Sequence, residues 1–100
     1  MMSSDEVLDF LDENRGEIES FGVERIGVFG SVSREEQDES SDIDFLVEFV
    51  DSEKSYRNFI GLKRFLENEL GKEVDLVTKS SVKPSMKDRI LEEVKYGKEA

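Results

Sequence analysis

The 100-residue chain contains no cysteine and no histidine. Without cysteine there is neither a disulfide framework nor a thiolate metal site. Without histidine, the commonest general base and the usual zinc ligand are both missing. No apolar run of about twenty residues is present, so nothing in the sequence reads as a membrane span. The opening MMSSDEVLDF is acidic and lacks the basic-then-apolar layout of a secretory signal. Repeats, low-complexity blocks and linkers are also absent, and the length suits one domain over residues 1–100 with a single modest core. These absences lead to the expectation of a cytoplasmic protein whose chemistry rests on carboxylates and hard cations.

Basic residues are few as well. Fourteen Lys and Arg stand against 25 Asp and Glu, a formal net charge of −11. Such a field opposes docking on a phosphate backbone, so no direct nucleic-acid binding is expected. It favours cations and basic protein partners. Solubility or adaptation to salt accounts for much of the excess equally well, and only a few of the acids bear on a site.

The apolar periodicity orders the chain as helix, strand, loop, strand, helix, strand, helix. Residues 4 to about 20 read as one helix, with Ser3 and Glu6 as a capping box and Gly16 as an interior weak point. Residues 24–29 (ERIGVF) and 73–78 (EVDLVT) read as short strands. Residues 42–50 (DIDFLVEFV) alternate most cleanly: Ile43, Phe45, Val47 and Phe49 line one face, while Asp42, Asp44, Leu46 and Glu48 line the other. Residues 55–70 form a helix closed by Gly71, and a last helix follows Pro84 with Ser85 as its cap and Asp88 at the third position. The unit from Asp42 to Asp75 is a strand-helix-strand crossover, which joins parallel strands. The first two strands lack a crossover helix and are expected to be antiparallel. The fold class is therefore α+β: a small mixed sheet of about three strands flanked by helices.

Chemistry concentrates in GSVSREEQDESSDIDFLV, residues 30–47. Residues two apart on a strand point the same way, about 7 Å between Cα atoms, so Asp42 and Asp44 share a face. Asp75 alternates away from Val74 and Leu76 and can join them from the neighbouring strand. Three clustered carboxylates repel one another unless cations intervene. Magnesium takes carboxylate, water and phosphate oxygens, and two such ions suit in-line attack on phosphorus. Gly30 and Ser31 end a strand where backbone N–H groups can cradle an anion, with the Ser31 hydroxyl as a further donor. Arg34 either steadies a triphosphate or pairs with Glu35 or Asp38, and Ser40 and Ser41 are read as caps of the turn before the strand. Taken singly, a Gly-Ser after a strand is a turn, an Asp-x-Asp is a solvated strand edge, and Asp75 guards an edge against aggregation. Their conjunction describes a nucleoside triphosphate site.

The segment IGVFGSVSREEQDESSDIDFLVEF, together with VDLVT and KPSMKDRILEEV, resembles the DNA polymerase beta-like nucleotidyltransferase superfamily, and within it the minimal nucleotidyltransferases. The likeness spans nearly the whole chain. It implies that Asp42 and Asp44 bind two Mg2+ ions. It also implies that Asp75 binds the catalytic ion beside the attacking hydroxyl, and that Gly30 and Ser31 hold the β and γ phosphates of ATP. The implied reaction transfers AMP to a hydroxyl and releases pyrophosphate. In this family the small protein often accompanies a HEPN-type partner in a toxin–antitoxin pair, acting as the antitoxin that adds AMP to a tyrosine of the toxin. Homo- or hetero-oligomers are compatible with this. Two other readings remain: a module that neutralises its partner by contact, and a nucleotidyltransferase acting on a small molecule such as an aminoglycoside.

Overall fold

The computed structural model describes residues 3–30, 42–53 and 55–96. Its elements in chain order are α1 (Ser4–Glu13), α2 (Arg15–Glu19), β1 (Val23–Phe29), β2 (Ile43–Phe49), α3 (Tyr56–Leu70), β3 (Val74–Thr78), α4 (Pro84–Glu93) and β4 (Lys95–Tyr96). The strands form one four-stranded sheet in the order β3-β2-β1-β4. β1 and β2 pair antiparallel, β2 and β3 pair parallel, and β4 runs antiparallel along β1. The α+β class and the mixed sheet expected from sequence are observed.

One face of the sheet carries the main core. Val28, Phe45 and Val47 are fully buried on it, against Val7 of α1 and Leu62 and Leu66 of α3. Phe10, Phe21 and Phe65 add a partly buried aromatic group, with ring centroids 6.4 Å apart for Phe10–Phe65 and 5.9 Å for Phe21–Phe65. Leu46 lies on the opposite face, among the acidic residues, yet only 1% of it is exposed. Near it, Lys87 of α4 lines the same surface cleft as Glu48, and Ile90 of α4 is buried as well. The second face is buried only in part: Leu46 is inaccessible, while Asp44 and Glu48 beside it are half-buried.

Several local expectations are corrected. The first helix is two, broken at Asn14, whose side-chain amide donates to the Phe10 carbonyl at 2.9 Å and ends the first segment. Asn beside Gly16 makes this the weakest helical stretch of the segment. The last helix starts two residues earlier than a Ser85 cap would place it. Pro84 occupies its first position, Ser85 lies within the first turn, and the N-cap is Lys83, which makes no side-chain capping bond. Proline has no N–H to satisfy and its fixed φ suits that position. The sheet has a fourth strand, only two residues long, that no alternation announces. Finally, β2 starts at Ile43, so Asp42 stands just before the strand. Two caps match expectation: the Ser3 hydroxyl accepts from Glu6 N at 3.2 Å, and Gly71 closes α3 in the left-handed conformation; Ser55, expected as the first helical residue, is instead the N-cap of α3, its hydroxyl accepting from Asn58 N at 3.1 Å.

Candidate active site

Three strands bring the candidate residues to one end of the sheet. β1 enters this end with Phe29, which pairs with Asp44 as β2 leaves it. On the other side of β2, Asp44 pairs with Asp75 of β3. Paired residues on adjacent strands point to the same face, about 4.8 Å apart along the hydrogen-bonding direction. The Asp44 and Asp75 side chains therefore emerge side by side, on the face opposite the main core. Asp42 lies two residues before Asp44. Asp42 and Asp75 are exposed and Asp44 is half-buried.

The start of β3 is fixed by two hydrogen bonds. Ile43 N donates to the Glu73 carbonyl at 3.2 Å, and Val74 N donates to Glu67 Oε2 at 3.0 Å. Glu67 belongs to α3, so the crossover helix pins the residue just before Asp75. A glutamate near the end of an amphipathic helix gives no sign of such a task, and the sequence reading missed it.

Gly30 follows β1 with φ +73 and is buried. A Cβ on this residue would collide with Asp44 Oδ2 and come within 3.1 Å of Asp44 Cγ. Gly30 is thus packed directly on the Asp44 carboxylate. Ser31, Arg34, Ser40 and Ser41 lie outside the described residues.

The donor chemistry suits a hard divalent cation: carboxylates from two adjacent strands, with a glycine beside them whose lack of a side chain leaves the backbone open to a close ligand. As the side chains stand, no group of three or more acidic side chains among the described residues is gathered tightly enough to hold a metal ion. Among the described residues no helix is long and apolar enough to cross a membrane.

A mixed sheet with acidic side chains at the ends of two parallel strands, beside a glycine turn, is the frame of a nucleotidyltransferase. The family model described as a nucleotidyltransferase domain matches residues 5–96, and the chain belongs to that family. It is 44% identical over 97 residues to the protein adenylyltransferase MntA of Thermococcus cleftensis, covering 96% of this chain and 97% of that one. Among solved structures it is similar to a chain provisionally named a minimal nucleotidyltransferase, at 34% identity and a TM-score of 0.73 over 94% of this chain and 95% of that one. It also shares its fold with a chain from the complex of a tri-AMPylated Shewanella oneidensis HEPN toxin with its MNT antitoxin. That match has 21% identity and a TM-score of 0.63, and covers 92% of this chain and 74% of that one.

Proposed function

We propose that this nucleotidyltransferase adenylylates a hydroxyl of a partner protein, a tyrosine of a HEPN-type toxin, and so acts as the antitoxin. The observation that carries the reading is the register that sets Asp44 beside Asp75, with Gly30 packed on the Asp44 carboxylate. The adenylyltransferase relative, similar over nearly its full length, supports the choice of AMP and of a protein acceptor. The toxin–antitoxin complex of the same fold supports a HEPN partner.

In this reading Asp42, Asp44 and Asp75 hold two Mg2+ ions, and Gly30, Ser31 and Arg34 hold the triphosphate of ATP. The bound ions supply charge neutralisation for the triphosphate and a lowered pKa for the attacking hydroxyl. The acceptor oxygen bonds to the α phosphorus as the bond to the bridging oxygen breaks, and pyrophosphate leaves. Asp75, on the neighbouring strand, would hold the ion beside the incoming hydroxyl and help remove its proton. Positioning and electrostatics carry phosphoryl-type transfers, so the lack of histidine is no obstacle.

Incubation with Mg2+, a lysate of the source cells and ATP labelled at either the α or the γ phosphate tests this reading. The expected result is a protein band labelled only from the α position, and lost with Asp44→Asn. Label arriving only from γ would mean phosphoryl transfer instead. Retention of a partner on a pull-down column with no label transferred would favour neutralisation by contact.

A further inference from the structure

Two properties meet at Gly30 that are separate at Gly71 and Gly27. Gly71 has a comparable φ of +66, but a Cβ there would meet nothing. Gly27 would crowd its neighbours, but it is not among the glycines with positive φ. At Gly30 the backbone is left-handed and the space of the missing side chain is filled by one group, the Asp44 carboxylate. That contact also gives the carboxylate a direction. β1 and β3 flank β2 on opposite sides, so a carboxylate resting on Gly30 leans toward the end of β1 and away from Asp75. A methyl group at position 30 would push it back toward Asp75, a like charge, and away from the turn.

We propose that Gly30 is a positioning residue whose absent side chain forms the seat of the Asp44 carboxylate, fixing its orientation before cation or nucleotide arrives. This deepens the metal–nucleotide reading and rests on it for its catalytic meaning. The glycine would then be required for the aspartate as well as for any phosphate beside it, and the two halves of the site would be locked by one residue.

The test measures Mn2+ binding by electron paramagnetic resonance, without nucleotide, for the wild type, Gly30→Ala, Gly30→Asn, Asp44→Asn and the two double variants. Asparagine tolerates the left-handed conformation but carries a Cβ, which separates backbone strain from the collision. Both Gly30 variants are expected to weaken Mn2+ at least tenfold. Each double variant should bind no worse than Asp44→Asn alone, the signature of one residue acting through the other. Wild-type affinity in Gly30→Asn, or losses that multiply in the double variants, would overturn the proposal. Because the variants risk misfolding, three-bond couplings of the Asp44 side chain are measured on the metal-free wild type. A single χ1 rotamer supports the seat, and rotamer averaging overturns it. A single rotamer in a wild type that binds no Mn2+ would keep the seat and sink the two-ion reading.

Discussion

Asp75 is the residue at which function and stability are most easily told apart. It is exposed, it lies at the end of an edge strand, and its Cα partner is another aspartate. Removing its charge relieves repulsion and opens no cavity. Asp75→Asn should therefore leave the melting temperature unchanged or slightly raised, while label transfer from ATP falls by about 100-fold or more, the usual scale for losing one transition-state charge contact. A variant that melts early would show a structural role instead. Glu67 makes the opposite case. Its carboxylate accepts from Val74 N, so Glu67→Ala should destabilise the fold by about 1 kcal/mol in urea unfolding. It should also speed amide exchange at Val74 ahead of any effect on Leu62 or Leu66. The aspartates were legible because a period of two fixes which side chains share a face. Glu67 was not, because its partner is a backbone amide seven residues away and nothing in an amphipathic pattern points to it.

At the scale of elements, β4 depends on a glycine whose role is space. A Cβ on Gly27 would lie 2.7 Å from Val94 Cγ2 and 2.8 Å from both the Lys95 carbonyl oxygen and Tyr96 Cδ1. Residues 94–96 can approach β1 this closely only because position 27 is bare. Two further contacts hold the strand: Arg25 stacks over the Tyr96 ring at 3.6 Å from its centroid, and Lys95 Nζ donates to Ser4 Oγ at 3.4 Å. Gly27→Ala should therefore cost about 1–3 kcal/mol by overpacking, with the loss of amide protection concentrated at Lys95 and Tyr96 and at their respective partners, Val28 and position 27. Uniform destabilisation would mean that β4 is integral to the core. The same contacts explain why this strand escaped the sequence reading: two residues carry no alternation, and the deciding residue is a glycine 69 positions away. The long strands and α3 were legible because burial imposes their period over many residues, whereas the break at Asn14 turns on one side-chain amide competing with the backbone and the start of α4 on the fixed φ of one proline.

At the scale of the whole molecule, the charge of −11 is unevenly spread. α1 alone carries Asp5, Glu6, Asp9, Asp12 and Glu13 and no basic residue, while the candidate site adds three aspartates at the sheet end. Both sets repel within the folded state, so any salt should stabilise the protein by screening. A divalent ion held at the site should do more, because it binds the folded state alone. At ten times its dissociation constant such an ion adds about 1.4 kcal/mol, which for a chain of this size raises the melting temperature by about 5–10 °C. We therefore expect Mg2+ to raise the midpoint beyond NaCl of equal ionic strength. Asp44→Asn should abolish the excess and keep the screening part, since it leaves α1 untouched. If NaCl reproduces the whole shift, or Asp44→Asn retains it, the stabilisation comes from the diffuse acidic field, and the three aspartates do not form a cation site in the nucleotide-free protein.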